Sequence, residues 1–249
     1  MTVLVPNLPE ILERHLMWLR GEDSGIRANL NGTNLQGVDL SSTNIRNACI
    51  MKADLRGANL KDANFTNTNF GGTNFKGARL QGTNLSNANL DYTNLSMVNL
   101  KTANLEHASI RRANLTGASL ENANLVHTTF DNANLFLANL QRSNLTGASL
   151  ESANLRDAGL MNTNLNKVNF RNCIGDMARI KSMRIDSWAV VWCDEVLAIG
   201  CQQHQIIEWA AFSDYEIEKM DALALDWWRK WRPILAQMPG LEALKEDER

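Results

Sequence analysis

The feature that most constrains this chain is a period of five residues that runs without interruption from Leu30 to Phe170. Every fifth residue in that range, 29 positions in all, is Leu, Ile or Phe. The residue two places earlier is always Ala, Thr, Val or Ser, and the residue directly before is Asn or Asp in 22 of the 29 repeats. A helix repeats every 3.6 residues and a strand every two, so neither would hold this pattern on one face. The chain must therefore turn a corner every five residues.

Four such sides close a square, so that 20 residues make one coil. Coils stacked by hydrogen bonds satisfy the backbone and bury the central Leu, Ile and Phe side chains together with the small residues, which a narrow interior requires. The frequent Asn before each centre is typical of turns that tolerate left-handed backbone and bond to themselves. We expect this Asn to occupy such turns and to stack on its copies in neighbouring coils.

Two segments show the repeat clearly, ANLTGASLENANL and ADLRGANLKDANF. They resemble the A(D/N)LXX motif of the pentapeptide-repeat family, and the resemblance extends over roughly residues 26–172. It implies an all-β solenoid, a right-handed quadrilateral β-helix, with about seven coils and a length of about 35 Å at the usual strand spacing. We predict an N-terminal capping helix in residues 1–25, the β-helix in 26–175, and a small α+β module in 176–249.

Residues 20 apart should lie on one side of the coil. The period therefore predicts a structural core column of large buried side chains, formed by Leu30, Ile50, Phe70, Leu90, Ile110, Phe130, Leu150 and Phe170.

A solenoid needs covered ends, because its terminal coils expose unpaired edges. Before the repeats, LPEILERHLMWLR predicts a short amphipathic helix over residues 8–20, with Trp18 packed on the first coil. One face of that helix should carry Leu8, Ile11, Leu12, His15, Leu16 and Leu19.

After the repeats the composition changes, and residues 176–249 contain six of the seven Trp. The apolar runs predict two strands, at about 187–193 and 196–201, joined near Asp194 and Glu195. A capping box from Ser213 to Glu216 predicts a helix whose pattern continues to Pro233. We expect the module core to include Trp188, Trp209, Trp227 and Trp231. The string IGCQQH…EW…F resembles the tail of pentapeptide-repeat proteins carried by phages and prophages.

No phosphate loop, nucleophile elbow, dinucleotide fingerprint or His-Glu-x-x-His motif occurs in the sequence. Cys193, Cys201 and His204 have the spacing C-x7-C-x2-H, which lacks the paired cysteines of a zinc ribbon. In the predicted hairpin the two cysteines would lie at opposite ends, as small core residues. We therefore expect no catalytic residues, no metal site and no cofactor.

The remaining composition bears on location and partners. The four scattered cysteines fit a reduced, cytoplasmic compartment. No apolar run reaches 18 residues, so no membrane span is expected. Residues 26–175 contain 14 basic and 9 acidic residues, whereas 176–249 contain 9 basic and 14 acidic.

Charge separates the functional alternatives. The best-known members of the family are topoisomerase-directed DNA mimics, which need rows of negative charge spaced like phosphates. The repeat segment has the opposite net sign, and its basic residues are too mixed with acidic ones for a nucleic-acid binder. We favour a non-enzymatic binding or scaffold protein with an unknown protein partner. A gyrase-interacting DNA mimic is the alternative, and a hydrolase or metal activity of the C-terminal module is a third.

Several variable positions of the repeat are apolar instead of polar: Met51, Met97, Val126, Phe136, Leu137 and Met161. Met97 and Leu137 occupy the same repeat position 40 residues apart, with Gly117 between them, and Phe136 adjoins Leu137. Met97, Phe136 and Leu137 are the predicted partner-binding residues, for another protein or a second copy of the chain. Two alternatives are scattered surface residues without a role, and a face covered by residues 176–249.

Overall fold

The computed structural model describes residues 7–176, 180–185, 188–193 and 196–245. The chain divides into two compact units, Met1–Asn169 and Phe170–Arg249. Within the described residues the regular elements are α1 (Leu8–Leu19), β1 (Lys181–Ile185), β2 (Trp188–Trp192), β3 (Val196–Ile199), β4 (Gln202–Gln205), α2 (Ile206–Ala211), α3 (Asp214–Glu218) and α4 (Ala224–Leu235), followed by a 3-10 turn at Glu242–Leu244.

The first unit is built from a ladder of single parallel bridges between residues 20 apart. The ladder begins at Asn29 with Cys49 and ends at Ser149 with Asn169. Because each partner lies four repeats away, the chain passes round four sides before it returns to the same face. The predicted four-sided coil is confirmed, and its driving force is the burial of one large apolar side chain per repeat.

The central positions form the interior of this unit. The first seven predicted column residues are completely buried, and Phe170, which belongs to the second unit, is 1% exposed. Phe65, Phe70 and Phe75 follow one another round the coil with edge-to-face rings, at centroid distances of 5.1 and 5.0 Å. That geometry is favourable for aromatic pairs and lets three large rings share a narrow interior.

Threonine at the small position is compatible with burial because its hydroxyl is satisfied. Thr93 Oγ1 donates to the Leu90 carbonyl at 2.6 Å, within its own turn. Thr73 Oγ1 instead donates to the Ile50 carbonyl of the preceding coil at 2.5 Å. Buried polar groups are tolerated only with such partners.

The backbone conformation at the corners of the coil differs from one expectation. The Asn before each centre does form a hydrogen bond within its own turn, since Asn29 Oδ1 accepts the Asn31 N–H at 3.2 Å. It also stacks on its copy in the neighbouring coil, where Asn124 Nδ2 donates to Asn104 Oδ1 at 3.0 Å. It is not the left-handed residue, however. That conformation belongs to the second residue after every centre, from Gly32 onward, where φ lies between 54° and 72°. The Asn is a ladder residue with extended backbone, and the turn places positive φ at its third residue, as in a type II turn.

Helix α1 contacts the first coil mainly through His15. Leu8 and His15 are buried, whereas Leu16, predicted on the same face, is exposed. The Trp18 ring stacks on His15 with centroids 5.5 Å apart and stays 37% exposed. After the helix, Gly25 passes so close that a Cβ there would lie 2.2 Å from the Trp18 backbone nitrogen. Only glycine permits that approach.

The second unit contains a four-stranded antiparallel sheet with the order β1-β2-β3-β4. Strands β2 and β3 correspond to the two predicted apolar strands, although the predicted joint at Asp194 and Glu195 lies outside the described residues. Strands β1 and β4 were not predicted, because the alternation in KSMRI is limited to two apolar residues, Met183 and Ile185, and QQHQ contains none. They pair at the two edges of the sheet, where polar side chains can remain exposed.

The predicted single helix from Ser213 to Pro233 is wrong. The capping box at Ser213 and Glu216 is present, but it starts the short helix α3, which ends at Glu218. The Asp221 carboxylate then accepts the Leu223 N–H at 2.9 Å, and α4 begins at Ala224. Helix α4 also continues through Pro233 to Leu235, which is completely buried. Burial of that final apolar turn outweighs the hydrogen bond that proline removes.

The core of this unit lies between the sheet and the helices. Trp209 and Trp227 are buried, whereas Trp188 and Trp231 are partly buried against the same cluster. Trp188 stacks on Trp227 at 5.2 Å, and Trp209 Nε1 donates to the Leu197 carbonyl at 2.7 Å. Trp228, absent from the predicted set, is buried as well.

Candidate functional site

Met97 and Leu137 project from one corner of the coil. Both have left-handed backbone with φ of 58°, and their exposed fractions are 66% and 55%. The ladder joins Asn94 to Asn114 and Asn114 to Asn134, so the two side chains lie two coils apart, roughly 9.5 Å along the axis. Phe136 precedes Leu137 at this corner and is half-buried. The structure thus brings the three predicted partner-binding residues onto one corner.

Gly117 occupies the level between these two side chains. A Cβ at this glycine would lie 2.7 Å from Met97 Sδ, so the thioether lies directly over the glycine. The space above Gly117 is therefore occupied by the Met97 side chain. The result is a low apolar ridge formed by a flexible, polarizable side chain, a type of surface that adapts to different partners.

The other apolar variable residues do not join this corner. Met51, Val126 and Met161 follow central residues on other sides of the coil, and only Met161, at 57% exposed, projects strongly. Tyr92, which is 61% exposed, was missed by sequence reasoning. It lies at a different corner, where Arg112 Nη1 donates to its hydroxyl at 3.0 Å.

Several acidic side chains on the coils are paired with cations. Glu121 Oε2 accepts a hydrogen bond from Lys101 Nζ at 2.8 Å, and Glu121 Oε1 lies 4.0 Å from Arg142 Nη1. The Lys101 ammonium lowers the pKa of Glu121 below its usual value through this hydrogen bond. Asp131 is also paired with a cation, since its Oδ2 lies 3.7 Å from Arg111 Nε. These pairs break up any extended run of negative potential.

Asp54 shows the same arrangement within one repeat. Arg56 donates to both of its carboxylate oxygens, and this hydrogen bonding lowers the pKa of Asp54. Such exposed pairs contribute little to stability but do neutralise the local field.

Each unit contains histidines or cysteines that could be considered as metal ligands. His107 and His127 stack with centroids 5.0 Å apart and a 15° interplanar angle. Cys201 lies exposed in the turn after β3, so the expectation that it is a core residue is wrong, while Cys193 is half-buried and His204 lies in β4. Over residues 7–176, 180–185, 188–193 and 196–245, no three His, Cys, Asp or Glu come together as metal ligands would.

Membrane insertion receives no support from the helices. In the portion of the chain that the structure describes, none of them combines the length and the apolar character needed to cross a bilayer.

Family models match the coiled part of the chain. A model described as a pentapeptide repeat region matches residues 58–125, and a model of pentapeptide repeats in eight copies matches residues 26–57 and 138–174. Together these segments cover more than half of the 249 residues. The chain belongs to the pentapeptide-repeat family. Membership in this family implies that the four-sided coil is right-handed.

Other pentapeptide-repeat proteins of known structure are similar to this one. A protein from the thylakoid lumen of Arabidopsis thaliana is 26% identical over 47% of this chain and 68% of its own length, with a TM-score of 0.35. HetL of the cyanobacterium Nostoc is described as involved in heterocyst differentiation regulation. It is 24% identical over 68% of this chain and 97% of its own length, with a TM-score of 0.28.

A trypsin-treated form of QnrB1, a plasmid-mediated fluoroquinolone resistance protein, is 17% identical over 59% of this chain and 79% of its own, with a TM-score of 0.42. No match was found among curated proteins.

Proposed function

We propose that this pentapeptide-repeat protein is a non-enzymatic scaffold that binds another protein through the corner formed by Met97, Phe136 and Leu137. The observation that carries the proposal is the exposure of Met97 and Leu137, at 66% and 55%, on one corner of a regular coil. Comparable corner positions are occupied mainly by Gly, Asn and charged residues, which have no need of a partner. A rigid β-helix presents such a ridge at little cost in conformational entropy.

The pKa pattern supports a non-enzymatic role. Perturbed groups gather at active sites in enzymes, whereas here each has a separate structural cause. Glu121 and Asp54 are paired with cations, and the pKa of Glu216 is lowered by its hydrogen bonds to Ser213 in a helix cap. Burial raises the pKa of Cys173 to about 12, which leaves that thiol unreactive.

The α1 helix fits the proposal as a cover for the first coil. His15 and the Ile26 N–H, which donates to the Arg14 carbonyl at 2.9 Å, connect the helix to that coil. A covered edge would keep the solenoid from pairing with other sheets and leave the corner as the binding surface.

The decisive experiment replaces Phe136 and Leu137 together by Asp. Because neither side chain is buried in the core, circular dichroism and melting should stay nearly unchanged. The matched control replaces Val126 and His127 by Asp, at the same two repeat positions on another corner. A partner identified by pull-down and mass spectrometry, then purified, should bind the wild type and the control but not the Phe136→Asp, Leu137→Asp variant.

Light scattering on the same three proteins tests whether the partner is a second copy. Loss of dimer mass only in the Phe136→Asp, Leu137→Asp variant would identify a homodimer. Retained partner binding and retained mass, or a large drop in stability, would reject this corner as the docking surface.

The second candidate, a gyrase-interacting DNA mimic, requires a continuous acidic face. The pairing of Glu121, Asp131 and Asp54 with cations argues against such a face. A supercoiling assay with purified gyrase tests the candidate directly. Inhibition or protection by the protein at low micromolar concentration would favour the mimic over the scaffold.

We further propose a reduced, cytoplasmic location. The support is that Cys49, Cys173 and Cys201 are free thiols in the structure.

A further inference from the structure

The C-terminal unit contains a cavity of about 130 Å³ between its sheet and its helices. Four tryptophans line it, Trp188, Trp209, Trp227 and Trp228. A cavity of about 150 Å³ with apolar walls is known to hold benzene, so this space suits an apolar group of nearly single-ring size.

The tryptophan walls are held in place by one another. Trp188 stacks on Trp227 with a 20° interplanar angle, and Trp209 packs against Trp228 with centroids 5.3 Å apart. The Trp227 Nε1–H is buried without a hydrogen-bond partner among the described residues. A buried donor left unpaired carries a cost in free energy.

One side of the cavity is negatively charged. Asp221 lines it, and its Oδ1 accepts the Leu223 N–H at 2.9 Å, which holds the carboxylate at the start of α4. Ile217, whose side chain also lines the cavity, lies in α3 beside exposed Glu218. Residues 176–249 carry 14 acidic and 9 basic residues, so the field of the whole unit favours cations.

We infer that this cavity binds a small organic ammonium compound, with its apolar body among the indoles and its charged nitrogen paired with Asp221. Indole faces attract cations through their quadrupole, and a carboxylate supplies the charge-assisted contact. A few placed polar groups in an apolar pocket are the usual composition of a small-molecule site. The inference is independent of the docking corner, which belongs to the other unit.

Three probes of one shape but different charge test the inference on the full chain. Benzylamine is cationic at pH 7, benzyl alcohol is neutral and benzoate is anionic. Tryptophan fluorescence and protein-observed NMR at millimolar probe concentrations should show binding in the order benzylamine, benzyl alcohol, benzoate. Equal binding of all three, or binding of none, would overturn the inference.

Asp221→Asn is the decisive variant. Its Oδ1 can still accept the Leu223 N–H, so the start of α4 is retained while the charge is lost. Benzylamine should bind at least about tenfold more weakly, as expected for one lost charge-assisted contact, and benzyl alcohol should be unaffected. Asp226→Asn, which removes a nearby charge that does not line the cavity, is the matched control and should leave both probes unchanged.

Ala224→Leu adds a second test, because its side chain would fill the cavity and abolish binding of every probe. Its melting temperature shows whether the variant is folded. If Ala224→Leu is not folded, the comparison of Asp221→Asn with Asp226→Asn is the only test of the inference by substitution. Benzylamine affinity that falls equally in those two variants would reject Asp221 as the ammonium partner.

Discussion

The Nε2 atom of His15 lies 3.0 Å from the backbone carbonyl oxygen of Arg46. One coil further on, the equivalent carbonyl, that of Thr66, accepts the Asn47 N–H at 2.8 Å. The histidine ring thus takes the place of the backbone donor that a preceding coil would have supplied. A side chain of α1 completes the hydrogen-bond ladder at this corner.

The second ring nitrogen completes the pairing. His15 Nδ1 accepts the Ala28 N–H at 3.0 Å, whereas in the next coil the Ala48 N–H donates to the Ile45 carbonyl. An amide N–H can only donate, so Nδ1 must be unprotonated and Nε2 must carry the proton. Only the neutral imidazole satisfies both partners.

Stability should therefore depend on the charge of His15. Burial lowers its pKa below the ordinary 6.5. The hydrogen bond to the Arg46 carbonyl opposes this shift, and the nearby Arg27 and Arg46 cations add to it. As pH falls below about 6.5, the unfolded chain binds the proton before the folded chain does, so stability present above that pH is progressively lost.

We expect the melting temperature of the wild type to fall between pH 7 and pH 5 by more than that of His15→Gln. The variant should be less stable at pH 7, since it loses part of the pairing. His107→Gln, a change at an exposed histidine, is the control and should retain the wild-type pH dependence. Parallel melting curves for the wild type and His15→Gln across this pH range would refute the role of His15.

The central residues should dominate the stability of the coils. Leu95 is completely buried, and Leu95→Ala should lower the free energy of unfolding by about 2–5 kcal/mol. Lys76→Ala, at an exposed position one residue after a centre, should cost less than about 0.5 kcal/mol. Chemical denaturation measures both, and equal costs would mean that the inside and outside positions are assigned wrongly.

The left-handed corners predict a stabilising substitution. Thr102 is β-branched and has a φ of 58°, a conformation that Asn tolerates much better. Thr102→Asn should raise the free energy of unfolding by roughly 0.5–1 kcal/mol. Thr116→Asn, one position earlier in its own repeat and without positive φ, serves as the control. A gain in the control, or no gain at Thr102, would contradict the strain argument.

Removal of residues 176–249 tests whether the C-terminal module covers the last coil. A fragment ending at residue 175 should aggregate or form end-to-end oligomers, because an open solenoid edge pairs with other edges. Size-exclusion chromatography with light scattering measures this. A monomeric fragment with an unchanged melting temperature would show instead that the module is an independent appendage.

The local sequence was sufficient to predict the coil. The buried positions could be predicted from the period because every repeat has the same surroundings. Leu30 and Leu150, 120 residues apart, are therefore buried for the same reason. The identity of the left-handed residue was misassigned, since both Asn and Gly suit such turns and Asn stands directly before most centres. The Gly and Asn enrichment two places after each centre was the signal that could have located it.

In the C-terminal unit the sequence by itself determined the two apolar strands, the capping box at Ser213 and the tryptophan-rich core. Only the tertiary structure decided the rest. Strand β4 has a polar sequence and β1 has only two apolar residues, and both become strands because β3 and β2 offer hydrogen-bond partners to their backbones. The role of His15 is equally non-local, because its two hydrogen-bond partners, Ala28 and Arg46, lie 13 and 31 residues away. No spacing rule relates such residues until the first coil has folded against the helix.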